Sequence, residues 1–172
     1  NVLKRLRGTP IARHDAAFAM RYNPDPPYDL IENRDLSADQ VAALYRFARF
    51  WDRYVNSGNF LESAPLIWAG AASPFAAFHA FAEGLHARWG RAHSIALDDA
   101  AEALFDWLAQ HGADPAGTAE IVWRDLCRTV PRNRPAFLKP YIPLETVRAA
   151  RAQHLGRGLA RQARRLTADE PM

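Results

Sequence analysis

His79, Glu83 and His86 stand at i, i+4 and i+7 of one apolar-periodic stretch, and at roughly 100° per residue a helix there gathers all three side chains on one flank. An imidazole–carboxylate–imidazole set is ligand chemistry for zinc or iron, needing a fourth group from elsewhere. The spacing is not the His-Glu-x-x-His of a zinc protease. A Glu–His pairing on a helix surface accounts for it, and no metal site is assigned. Cys127 is the single cysteine; it lies beside an apolar stripe and reads as a small buried hydrophobe, with no partner for a disulfide or a Cys-x-x-Cys pair. His14, His93 and His111 fall at element ends, where imidazoles cap carbonyls or meet solvent. Asp98, Asp99, Glu102 and Asp106 share the polar side of an amphipathic pattern and read as a solvated face. Gly156-x-Gly158 lacks the further glycine and the preceding strand of a dinucleotide loop. No catalytic and no cofactor-binding residue is assigned.

A different chemistry lies in the arginines. From Glu145 to Asp169 there are six (Arg148, Arg151, Arg157, Arg161, Arg164, Arg165) and no acid, which leaves 16 basic and 19 acidic residues in the remainder. The net charge of +3 is thus a mildly acidic body with a basic tail. Arg157, Arg161, Arg164 and Arg165 form a basic face opposite the leucines of the last helix. That face is suited to phosphates, but no aromatics interleave with it as single-strand binding favours, so nucleic acid is not the expected partner. Lys4 and Lys139 are the only lysines of an Ala-rich chain, and a composition bias explains so much arginine.

The elements that must position these residues follow from periodicity. With 172 residues and 49% hydrophobic content the chain is long enough for one sizeable core. It has no 18-residue apolar run and no signal-peptide h-region, so the expectation is a cytoplasmic protein without a membrane partner. Ser37 and Gln40 spell a capping box ahead of Val41, Leu44, Tyr45, Ala48, Trp51 and Val55, with Phe47, Phe50 and Tyr54 widening the apolar side and Gly58 ending it. Ser73-Pro74 opens a second helix with Phe75, Phe78, Ala82, Leu85 and Trp89 inside, stopped at Gly90. A third runs from Leu97 to His111 before Gly112. A fourth is expected from about Thr118 to Val130, and the stretch from Arg132 to Tyr141 as a loop. The last starts near Pro143, and Gly156 and Gly158 weaken its middle by roughly 1 kcal/mol each. Before Ser37, Pro24, Pro26 and Pro27 keep the chain extended, with a short strand over Tyr28 to Glu32. The fold class is all-α: an irregular bundle of about five helices (37–166), an extended Pro-rich leading segment (1–36) and a tail (167–172). Phe18, Tyr22, Tyr28, Leu30 and Ile31 are too apolar for a solvated leader and mark a partner-docking surface, with self-association as the alternative for the isolated chain.

Several spelled segments go further. "LKRLRGTPIARH" (Leu3 to His14), "RYNPDPPYDLI" (Arg21 to Ile31), "RFARFWDRYVNSGNF" (Arg46 to Phe60), "SPFAAFHAF" (Ser73 to Phe81) and "GRAHSIAL" (Gly90 to Leu97), in that order, resemble the C-terminal portion of cobalamin-binding radical SAM proteins. The resemblance extends from about Leu3 to Leu166. It implies that the chain begins where a radical SAM barrel ends and continues into the helical domain of unknown function that follows. The iron–sulfur cluster, S-adenosylmethionine and cobalamin would then belong to the parent protein, because the Cys-x3-Cys-x2-Cys loop is absent here. The expected function is a non-catalytic accessory domain whose partner is that barrel. The alternative is a free-standing helical module using its basic C-terminal helix on nucleic acid or an acidic protein.

Overall fold

The computed structural model describes residues 3–130 and 132–152. Gly156, Gly158 and the expected basic face of Arg157, Arg161, Arg164 and Arg165 lie outside the described residues. The fold is predominantly helical with one small two-stranded sheet. It divides into two compact units. The first gathers the chain up to Asn56 together with Gly70–Ser94; the second gathers Ser57–Ala69 and the described residues from Ile95 on.

In the first unit the leading segment folds as a ribbon. Pro10–His14 makes a 3-10 turn with proline in its first turn. Strands β1 (Arg21–Tyr22) and β2 (Leu30–Glu32) pair antiparallel, Arg21 opposite Glu32 and Tyr22 opposite Leu30, with an irregularity between. A bridge from Lys4 to Asp29 adds the first residues on the ribbon: Arg5 N–H donates to the Tyr28 carbonyl at 3.0 Å and Leu30 N–H to that of Leu3 at 2.8 Å. Pro24, Pro26 and Pro27, expected to keep the chain extended, instead lie in the bend and turn between the strands, where Tyr28 N–H donates to the Asp25 carbonyl at 2.9 Å, and the strand expected over Tyr28 to Glu32 is confined to Leu30–Glu32. Asn33 Oδ1 accepts from the N–H groups of Asp35 and Leu36 (2.9 and 2.8 Å), a side-chain turn that delivers the chain to the next cap.

Helix α1 (Ala38–Trp51) begins with the expected capping box: Ser37 N–H donates to Gln40 Oε1 at 2.9 Å and Gln40 N–H to Ser37 Oγ at 3.4 Å. It does not continue as α-helix to Gly58. Asp52–Asn56 is a π-helical turn, and Gly58 follows at φ +73°. The buried side is also rotated from the expected stripe. Phe50 and Tyr54 are fully enclosed, whereas Tyr45, Ala48 and Trp51 are half-buried. Helix α2 (Pro74–Trp89) starts on Ser73, whose Oγ accepts from Ala76 N–H at 3.2 Å, and stops at Gly90 with φ +64°, a conformation that glycine adopts without Cβ strain. It buries Phe78, Phe81, Ala82 and Leu85 against α1, while Phe75, expected inside, is 53% exposed because it lies in the first turn.

In the second unit α3 (Leu97–Gln110) and α4 (Pro115–Cys127) pack on each other. Small residues (Ala100, Ala101, Ala103 and Ala119) bring the two helices close, and Leu104, Leu108, Val122 and Leu126 fill the space between larger contacts. Helix α4 starts three residues before the expected Thr118. Asp114 caps it, accepting from Gly117 N–H at 2.7 Å, and Pro115 occupies the first turn. It ends at Cys127 rather than Val130, because Arg128 N–H closes back on the Asp125 carbonyl and Val130, 60% exposed, precedes a proline that disfavours helix there. The expected loop from Arg132 to Tyr141 holds a 3-10 turn, Ala136–Leu138, whose Leu138 is fully buried. Phe105 meets Phe137 and Tyr141 at ring separations of 5.5 and 5.4 Å. Helix α5 occupies 144–152 of the described residues and buries Val147.

Candidate functional site

The turns of the leading ribbon enclose a cleft of about 390 Å³, the lower range of small-molecule sites. Its wall carries three guanidiniums, Arg5, Arg7 and Arg21, with Asp15, Tyr22 and Tyr28 among the other lining residues. Arg5 donates through Nε to Asp15 Oδ2 at 2.9 Å, and Arg21 through Nε to Glu32 Oε1 at 2.8 Å. Both bonds engage Nε alone, so the terminal Nη groups of the two forks donate to no acceptor among the described residues, and Arg7 has no ion-pair partner there. The Tyr22 hydroxyl and Asp15 Oδ1 are enclosed and have no hydrogen-bond partner among the described residues. Burial raises the Tyr22 pKa, Asp15 adds to the rise and Arg5 opposes it, so the hydroxyl is a donor at neutral pH. Tyr28 sits at φ +61°, an unusual conformation for a non-glycine residue, held by its N–H donating to the Asp25 carbonyl at 2.9 Å.

The five residues expected to dock a partner are all half-buried. Tyr22 and Tyr28 line the cleft. Phe18 lies under the Arg34 guanidinium, 4.7 Å from its ring, and Arg34 also donates to the Ala17 carbonyl at 3.0 Å. Leu30 and Ile31 belong to β2, which packs on α1.

The His79, Glu83 and His86 flank is organised by a residue that the sequence reading did not connect with it. Arg46 of α1 grips Glu83 with two parallel bonds, Nε to Oε1 at 2.8 Å and Nη2 to Oε2 at 2.7 Å. That fork is the main reason the Glu83 carboxyl lies below its ordinary range; burial opposes it, and His79 and His86 add to it. His79 lies near the rings of Phe47 and Phe75, at 6.4 and 5.8 Å, and His86 Nδ1 is enclosed without a hydrogen-bond partner among the described residues. Beside them Phe47, Trp51, Pro74 and Phe75 border a second, more apolar hollow of about 350 Å³. Among the described residues no grouping of three or more His, Cys, Asp or Glu is arranged to hold a metal ion. Cys127 is buried at the end of α4 and burial raises its thiol pKa. An iron–sulfur cluster of the radical SAM class needs three thiolates, and one enclosed thiol does not fit it.

The remaining polar centre is structural, and the sequence reading missed it. Asp125 of α4, 4% exposed, accepts from Ser63 Oγ at 2.6 Å, from Ser63 N–H at 2.9 Å and from Glu62 N–H at 3.2 Å, and pairs with Arg128. It satisfies the backbone ahead of the 3-10 turn Ala64–Ile67, while Arg124 and Glu62 pair outside it at 2.8 Å.

No helix of the described residues is long and apolar enough to cross a membrane. Neither curated proteins nor solved structures give a match to this chain. One family model does, over residues 16–155, and so takes in β1 and β2 as well as α1 to α4. The chain therefore belongs to the family described as protein of unknown function DUF4080.

Proposed function

We propose that this chain is the non-catalytic C-terminal accessory domain of a cytoplasmic cobalamin-binding radical SAM enzyme, packing on its barrel and covering the substrate end. The order and spacing of "LKRLRGTP" and "PDPPYDL" support the reading, and one structural observation carries it: the segment spelled by the first motif is an edge of the ribbon. Leu3 and Arg5 direct their backbone bonds to Leu30 and Tyr28 on either side of Asp29, so the alternation of an antiparallel pair turns the N–H and C=O of Lys4 outward. Leu3 and Leu6 are 41% and 52% exposed beside that edge. Unpaired backbone flanked by leucines is a template for further strand or helix cover. A lid of this kind would keep water from reactive intermediates.

The test is the coding DNA upstream together with the joined protein. A Cys-x3-Cys-x2-Cys loop encoded in frame ahead of Asn1 is expected, and amides of Leu3 to Leu6 should exchange at least about tenfold more slowly in the joined protein than in the isolated chain. Lack of that loop, or equal exchange, would overturn the reading. The acid-free run of six arginines between Glu145 and Asp169 favours one alternative, a free-standing module for nucleic acid or an acidic protein. Affinity falling steeply with salt and lost on neutralising Arg157, Arg161 and Arg164 would establish it.

A further inference from the structure

We infer that the cleft of the leading ribbon is a binding site for a small phosphate ester carrying a hydroxyl or amino group, held by the free ends of Arg5, Arg7 and Arg21, by the Tyr22 hydroxyl and by Asp15. The inference stands independently of the accessory-domain reading, because it rests on the cleft alone.

Two kinds of unmet bonding converge there. On the donor side, the Arg5 and Arg21 forks are anchored at Nε by Asp15 and Glu32, which fixes their planes and leaves the Nη groups unspent. Arg7 adds a guanidinium with no ion pair among the described residues, and the enclosed Tyr22 hydroxyl is a further donor without an acceptor. A tetrahedral dianion with three free oxygens matches such an array, since guanidinium forks bind phosphate in pairs of parallel bonds. On the acceptor side, Asp15 Oδ1 is enclosed and empty-handed. Bare phosphate offers it little, whereas a hydroxyl or amino group on the same molecule donates to it. Enclosed polar atoms left unpaired are costly, and one ligand supplying both an anion and a donor relieves both.

Size and charge choose a small molecule over a polymer. A cleft of about 390 Å³ takes a few-carbon ester and not a helix or strand of nucleic acid. Across Leu3 to Leu36 the sequence has six basic and five acidic residues; of the three basic residues outside the cleft, Lys4 and Arg34 pair with Asp29 and Asp35, which leaves Arg13 alone and no continuous cationic track for a polyanion.

Titrating the full chain with glycerol 3-phosphate, inorganic phosphate and sodium chloride, followed by backbone amide NMR, tests this. Glycerol 3-phosphate should give saturable shifts confined to Arg5–Arg7, Asp15 and Arg21–Tyr28, with affinity at least several-fold tighter than inorganic phosphate. Arg7→Gln and Tyr22→Phe should each weaken it, by about tenfold and about threefold. Arg7 is exposed and has no ion pair among the described residues, so its variant keeps the fold even if Arg21→Gln loosens the ribbon. Shifts equal in sodium chloride, equal affinity for bare phosphate, binding unchanged in Arg7→Gln, or saturation by an oligonucleotide in preference to the ester would each overturn the inference.

Discussion

Residues 3–36 and the α3–α4 pair are similar in length and opposite in construction. No side chain of the leading ribbon is fully buried, while α3 buries six and α4 seven. The ribbon is held by turn chemistry and exposed ion pairs such as Lys4–Asp29 and Arg21–Glu32; the helices are held by close-packed Ala, Leu and Val around one satisfied carboxylate. Surface pairs contribute little and packed apolar area contributes most. The Tyr22 hydroxyl and Asp15 Oδ1, enclosed without a hydrogen bond among the described residues, sit in the ribbon, where their cost does not threaten the core; His86 Nδ1 on α2 is a further such atom outside it.

The largest test of that contrast is native-state hydrogen exchange. Amides within α3 and α4 should open only with global unfolding and exchange about 100- to 1000-fold more slowly than those of Arg5, Asn23 and Leu30 in the ribbon. Equal protection would mean that the ribbon shares the core's stability. Next in size is Asp125→Ala, which leaves the N–H groups of Glu62 and Ser63 and the Ser63 hydroxyl without their enclosed acceptor. Denaturant unfolding should show a loss of about 3–5 kcal/mol, against well under 1 kcal/mol for removal of an exposed pair such as Lys4–Asp29. A loss below 1 kcal/mol for Asp125→Ala would erase the distinction.

The smallest effect concerns Glu83, whose side chain is 36% exposed, so its pairing with Arg46 is partly screened. Because its folded pKa is depressed, the stabilisation is present above the ordinary value of 4.5 and is lost as pH falls through the lower folded value. Glu83→Gln should cost about 0.5 kcal/mol at pH 7, and the gap to the unmodified chain should close in the range below pH 4.5. A gap that persists at pH 3 would assign Glu83 a packing role.

The helices were legible where local chemistry decides them: Ser37 with Gln40, Ser73 with Pro74, and glycines at 90 and 112 all stand where caps and stops are found. The start of α4 was misplaced although Asp114-Pro115 repeats the Ser73-Pro74 signal, because Gly117 delays its apolar stripe. The rotation of α1's buried side was not legible, since it depends on which flank α2 covers. The functional geometry was legible only in part. Tyr22 and Tyr28 were singled out for being apolar in a polar segment, but Arg5, Arg7 and Asp15 were not, because only the fold brings them to the same hollow. Arg46 and Glu83 are 37 residues apart, and Ser63 and Asp125 are 62 apart, distances at which no periodicity links two residues.

The last of these separations bears on the time course of the fold. Bringing Ser63 to Asp125 closes a long loop, and the entropy of that closure must be met before the bonds reward it. Such contacts are expected to form after the local helical turns of α3 and α4 have grown. A contact made on the native side of the barrier adds to the lifetime of the folded chain while leaving its rate of formation nearly unchanged. Asp125→Ala is therefore expected to shorten the lifetime of the folded chain far more than it slows its formation, a difference that unfolding and refolding rates would show.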